Sequence, residues 1–154
     1  MTSRLLVDKI EGKTTSGTIQ MPNGHIIQTV RMTPTTSLIS TGSTSYVDTN
    51  LTLAITPKFS NSLIRIDAHA SFLISGGSFL YTRLFRNGSD IGIDDQIHGD
   101  YGSNGTGWSG TVTYTDFPNS TSAQTYMIKL KRNNTGGSAY VYREQHMLLQ
   151  EIAQ

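Results

Sequence analysis

From Ser45 onward, apolar and polar residues alternate in short runs, and each run closes on a turn signal. Side chains of a strand point to opposite faces in turn, so a period of two fits half-buried strands and would scatter apolar residues around a helix. Tyr46 to Ile55 is the first such run, with Leu51, Leu53 and Ile55 on one face and Pro57 ending it. Leu63 to Ile74 is longer and turns continuously apolar before Gly76-Gly77 breaks it. Phe79 to Phe85 leads into Arg86-Asn87-Gly88-Ser89, where Asn and Gly tolerate the positive φ of a tight hairpin. Asp90 to Ile93 is the predicted return strand, and Asp94 to Gly110 reads as a long loop. Thr111 to Phe117 alternates again, and so does Gln124 to Arg132, with Tyr126, Ile128 and Leu130 opposing Met127, Lys129 and Lys131. Asn133 to Gly137 turns the chain into Ala139 to Tyr142. His146 to Ile152 is the last strand, preferred over a short helix at Glu144 to Ala153.

Strands spaced at about 8–12 residues with turns between them predict an all-β fold, a jelly-roll-like antiparallel β-sandwich, rather than α/β units. Composition agrees. The chain of 154 residues holds 38 Ser and Thr with 15 Gly, residues that suit half-exposed strand positions and tight turns.

Before Ser45 the signals are weaker. Leu5, Leu6, Val7 and Ile10 make an apolar cluster suited to adding a strand to another chain's sheet. Thr18 to Met21 and His25 to Val30 flank Pro22-Asn23-Gly24, a turn in which Pro presets φ and Gly accepts a positive one. Thr33 to Thr44 is linker-like. The chain therefore divides into an extended N-terminal docking arm with a β-hairpin, residues 1–44, and a β-sandwich head, residues 45–154.

Charge and cysteine content exclude several classes. Twelve Lys and Arg stand against 11 Asp and Glu, so no clustered cationic excess marks a nucleic-acid groove or a membrane patch. Lys129, Lys131 and Arg132 read as a solvated strand face. No cysteine is present, which rules out disulfides and thiolate metal sites. No secretory signal is expected at the N-terminus, and no apolar run is long enough to span a bilayer as a helix.

Candidate chemistry is sparse. The four His, at 25, 69, 98 and 146, lack the i, i+4 spacing of a helical metal site and stand in no nucleophile context. Asp94, Asp95, His98 and Asp100 are the one local cluster of oxygen and nitrogen donors, better explained as a solvated loop than as a cation site. Neither metal nor cofactor is expected, and catalysis is not. Tyr101, Asn104 and Trp108 form a candidate ligand-binding loop, because aromatic faces stack on sugars and loops on rigid scaffolds carry recognition. The competing reading places Trp108 at the start of a strand, packed beneath the loop.

Several stretches, taken in order, resemble small β domains of tailed bacteriophages, tail-fibre heads and virion structural proteins of marine phages among them. They are Leu6 to Gly17, Met21 to Gln28, Ser43 to Thr49, Ile55 to Lys58, Leu84 to Gly88 and Leu148 to Ile152. The resemblance implies a trimeric jelly roll similar to tumour-necrosis-factor-like heads, with an N-terminal segment that docks on the particle through Leu5, Leu6, Val7 and Ile10. The expected function is that of a tail appendage subunit for host attachment, made in the host cytoplasm and displayed on the virion. Its partners would be copies of itself, other virion proteins and a host surface glycan. A capsid decoration or head fibre protein shares this scaffold, and a soluble lectin-like protein is the alternative outside a virion.

Overall fold

Alternation dictates strands, and strands with one apolar face must bury it against a second sheet. In a computed structural model this is what the chain does. The described residues are 21–77, 79–91, 96–99, 106–133 and 136–154, and none of them is helical. They form β1 (Ile26–Arg31), β2 (Ile39–Thr41), β3 (Val47–Ile55), β4 (Leu63–Ile74), β5 (Phe79–Arg86), β6 (Ser89–Asp90), β7 (Gln96–Gly99), β8 (Thr106–Asp116), β9 (Gln124–Arg132) and β10 (Ala139–Ile152).

Two antiparallel sheets result. The first runs β1–β10–β4–β8, with β2 beside the opposite half of β10. The second runs β3–β9–β5, with β6 and β7 both paired to β5. From β3 onward the chain crosses between them: β3 in the second, β4 in the first, β5 to β7 in the second, then β8, β9 and β10 in alternation. This is the strand order of a jelly roll.

The inward residues of each run meet in one core. From the first sheet come Ile64, Ile66, Phe72, Ile74, Val141 and Leu149, and from the second Leu51, Ile55, Leu80, Leu84, Ile128 and Leu130. Each such side chain stabilises the fold by about 1.5–3 kcal/mol relative to exposure. The faces predicted for Gln124 to Arg132 hold, with one correction. Arg132 is not on a solvated face: it is buried, and its guanidinium donates to the Gly137 carbonyl. Burial holds that guanidinium below its ordinary pKa.

Polar residues fix the ends. Asn87 and Gly88 take positive φ of 49° and 82° at the β5–β6 turn, as the Asn-Gly pair predicts. The Asn87 side chain also accepts from the Thr125 amide and donates to Gln124, locking the turn onto β9. At the same end of the sandwich, on the first sheet, the buried Glu151 carboxylate accepts from the amides of Lys58 and Phe59 and from Gln28 Nε2, at 2.8, 3.1 and 2.6 Å. Asp116 at the end of β8 joins the two sheets. Its Oδ2 lies 2.7 Å from the Arg86 guanidinium and accepts from the Tyr126 hydroxyl, also at 2.7 Å.

Several elements differ from their predicted extents. The Pro22-Asn23-Gly24 turn is present, with His25 N donating to Pro22 O, but within the described residues the strand after it pairs with β10. Both β1 and β2 lie in the head's first sheet, although the sequence groups residues up to 44 with the arm. The predicted loop from Asp94 to Gly110 contains β7 and the first half of β8. The last two predicted strands, Ala139 to Tyr142 and His146 to Ile152, are joined into one 14-residue strand, β10, and the alternative helix at Glu144 to Ala153 does not form. Leu5, Leu6, Val7 and Ile10 lie outside the described residues, as do Asp94, Asp95, Asp100, Tyr101 and Asn104.

Candidate functional site

The outward side chains of the two sheets offer the surfaces on which function could rest. On the first sheet, β4 turns Leu63, Arg65, Asp67, His69, Ser71 and Leu73 outward, since their alternate neighbours are core. The register sets these opposite β10: Tyr140 against Leu73, Tyr142 against Ser71, His146 against His69 and Leu148 against Asp67. On the other side stand Gly107, Ser109, Thr111 and Thr113 of β8. Among these residues charge is confined to one end, where Arg65 pairs with Asp67 at 2.9 Å.

The other end is apolar. Leu38, Leu73, Tyr140 and Tyr142 line an open groove of about 270 Å³, and Leu38 is 61% exposed. Tyr142 lies across the sheet toward β8: a Cβ at Gly107 would come within 2.7 Å of its hydroxyl. Glycine there leaves the ring room to lie flat on the sheet.

A bulge in β10 organises the middle of this face. Between Tyr142 and His146 the pairing with β4 slips, and Arg143 and Glu144 both take φ of 51°. Left-handed conformations are unusual for such residues, and bulges re-aim the side chains beside them. Beyond the two left-handed residues Gln145 points inward, fully buried, where its Nε2 donates to Ser37 O at 2.5 Å. His146 points outward and, through the slip of two residues, stands against His69 in place of Glu144. The two imidazoles stack with centroids 5.1 Å apart and planes 25° from parallel. His69 Nδ1 lies 3.0 Å from Thr111 Oγ1, and His146 Nδ1 lies 3.3 Å from the Glu144 carbonyl.

The second sheet's outer face is built differently. Lys131 Nζ sits 4.5 Å above the Tyr46 ring and 5.2 Å above Tyr81. Lys129 Nζ is 4.8 Å above Phe85 and 2.7 Å from Asp48. Arg83 lies over Tyr46 and pairs with Asp90 at 2.5 Å. Cations over aromatic faces interleave with carboxylates across the sheet.

Of the residues predicted for a ligand-binding tip, only Trp108 is described. It stands opposite Phe72 on β8, stacked on that ring at 6.1 Å, and packs against the core. That packing is the one the strand-packed alternative expects. Conversely, the paired His69 and His146 are far apart in the chain, so no spacing rule could bring them together. Only their shared position in the β4–β10 register does so.

No family model matches this chain, and no curated protein does. Solved structures similar to it include the structure of infectious bursal disease virus Gx strain, at 13% identity and a TM-score of 0.43, over 99% of this chain and 42% of that one. Another is dimeric latent PorU from Porphyromonas gingivalis, at 11% identity and a TM-score of 0.40, over 87% of this chain and 14% of that one. The chain spans less than half the length of either protein.

Proposed function

We propose that this chain is a bacteriophage virion structural protein, a homotrimeric tail appendage subunit whose jelly roll is a receptor-binding head. The observation that carries the reading is the outer face of the first sheet. Its upper half opens an apolar groove between Leu38, Leu73, Tyr140 and Tyr142, none of them charged. Apolar surface of this kind on a sheet is a site for association. A second copy is the occupant favoured, because the groove itself is self-compatible: none of its lining side chains is charged, and the pair Arg65 and Asp67 further along β4 is neutralised internally. Closed symmetry around the groove would cover this apolar end of the face.

The tail position, host glycan recognition and docking through residues 1–44 rest on the resemblance to tailed-phage β domains. The role is binding, with no turnover, at the surface of a particle assembled in the host cytoplasm. Two measurements test it. Sedimentation of the purified chain should give three times the chain mass, where a lectin-like protein unrelated to a virion would give a monomer or dimer. Deleting residues 1–12 should leave that mass unchanged while abolishing incorporation into particles. Density for the subunit on the capsid shell would move it to the head decoration class.

A further inference from the structure

We infer that His69 and His146 together form a surface site for a divalent transition-metal ion of the Zn²⁺ or Ni²⁺ class. Both ligands come from one chain, so the inference goes beyond the oligomeric reading and stands without it. Four features support the site. The imidazoles are opposite one another on adjacent antiparallel strands, with ring centroids 5.1 Å apart. At that separation a modest rotation of each exposed ring about χ2 lets the two outer nitrogens converge on one ion about 2.0–2.1 Å from each. Second, His146 Nδ1 faces the Glu144 carbonyl, which only accepts. The proton therefore sits on Nδ1, and the Nε2 lone pair is left for a ligand bond. Third, His69 Nδ1 is held by Thr111 Oγ1, and among the described residues neither Nε2 makes a hydrogen bond. Metal-bound histidines are oriented in this way, by a partner on the nitrogen that does not ligate. Fourth, the bulge with left-handed Arg143 and Glu144 slips the register by two residues, so that His146, in place of Glu144, stands opposite His69. Local strain of this type is concentrated at functional sites.

Imidazole selects Zn²⁺, Ni²⁺ and Cu²⁺ over Mg²⁺ and Ca²⁺. Asp67 is close by on β4, but Arg65 and the Thr113 hydroxyl already occupy its carboxylate. Among the described residues no three His, Asp or Glu side chains gather, so two imidazoles are what this chain offers here. The remaining coordination positions are left to water, or to a copy seated on the same face.

The test uses the full chain, titrated with Zn²⁺ and Ni²⁺ near neutral pH against a Mg²⁺ control. Binding is followed by calorimetry and by the imidazole resonances. Zn²⁺ and Ni²⁺ should bind and raise the melting temperature, and Mg²⁺ should do neither. His69→Gln and His146→Gln should each abolish binding, while His25→Gln leaves it intact. Thr111→Val should weaken binding about tenfold, the usual cost of losing an orienting partner. If Zn²⁺ binds the His69→Gln and His146→Gln proteins as tightly as the parent, or is lost instead in His98→Gln, the site is overturned. It is equally overturned if the folded parent chain binds neither ion.

Discussion

The two sheets of this sandwich bury the same kinds of side chain and show water different ones. The outer face of the β3–β9–β5 sheet is laced with Lys129, Lys131 and Arg83, each held over an aromatic ring and interleaved with Asp48 and Asp90. That of the β10–β4–β8 sheet carries a neutralised ion pair, two stacked imidazoles, hydroxyls, and an apolar end around Leu38 and Tyr140. Lysines on an exposed sheet oppose association, because a copy arriving there must strip water from charged groups. The apolar end of the first sheet carries no such penalty. The two outer faces therefore differ in what an arriving copy would have to desolvate.

The sharpest way to break this contrast is to put charge where it is lacking. In Leu73→Lys the ammonium would stand beside Tyr140 on the apolar end of the face. Like charges forced together across an interface cost several kcal/mol, and roughly 4 kcal/mol corresponds to about a thousandfold in the association constant. The variant is expected to sediment as a folded monomer, whereas Thr52→Lys on exposed β3 keeps the parent mass. A Leu73→Lys protein of parent mass would mean that the two faces do not differ in role.

A second prediction concerns what holds the two faces in fixed relation. Asp116 brings a charge from the first sheet to Arg86 and Tyr126 of the second. Burial opposes ionisation of Arg86, yet the hydrogen bond and charge of Asp116 hold its guanidinium above the ordinary value. Asp116→Ala leaves that cation and the Tyr126 hydroxyl without their carboxylate. A loss of about 3 kcal/mol in urea unfolding is expected, the low end for breaking a buried pair because Arg86 is partly hydrated.

Tyr126→Phe removes one bond of the same joint and should cost about 2 kcal/mol, as for a hydrogen bond to a charged group. The pH dependence has a definite sign. Burial first, and the Asp116 carboxylate second, push the Tyr126 phenol well above its usual value. A group whose folded pKa is raised contributes stability that is complete below the unfolded pKa, about 10 for tyrosine, and lost as pH rises beyond it. Denaturant titrations of the parent should therefore show stability falling above about pH 10. The Phe variant should lack that part of the decline. An identical alkaline slope in both proteins would place the titrating group elsewhere.

Much of this architecture was legible because alternation is a local signal. The partition of Tyr126, Ile128 and Leu130 from Met127, Lys129 and Lys131 follows from the period of two and holds in the fold. The Asn87-Gly88 turn was equally plain, since its chemistry demands positive φ. The register of β10 was not. Arg143 and Glu144 are neither Gly nor Asn, so nothing in the sequence announces two left-handed residues, and although the alternation from Tyr140 still gives the faces beyond the bulge, it cannot give the two-residue slip in pairing with β4. Arg132 escaped for a related reason. Its charge argued for solvent while its place in the alternation argued for the core, and the Gly137 carbonyl lets the second win. The stacked His69 and His146 depend on a long-range register that pattern reading cannot supply.

The smallest effect bears on the charged face. Lys131→Met keeps the aliphatic stem over Tyr46 and Tyr81 but deletes the ammonium. Cation–π contacts at partly exposed sites contribute about 0.5–1 kcal/mol, so a loss of that size is expected in chemical denaturation, with Lys131→Arg restoring most of it. The oligomer mass should not move in either variant, because Lys129 and Arg83 still occupy the face with their partners. If Lys131→Met instead begins to self-associate further, a single ammonium held over two tyrosines was what kept that sheet free of neighbours. The contrast between the two faces would then rest on one residue rather than on the whole lattice of cations and rings.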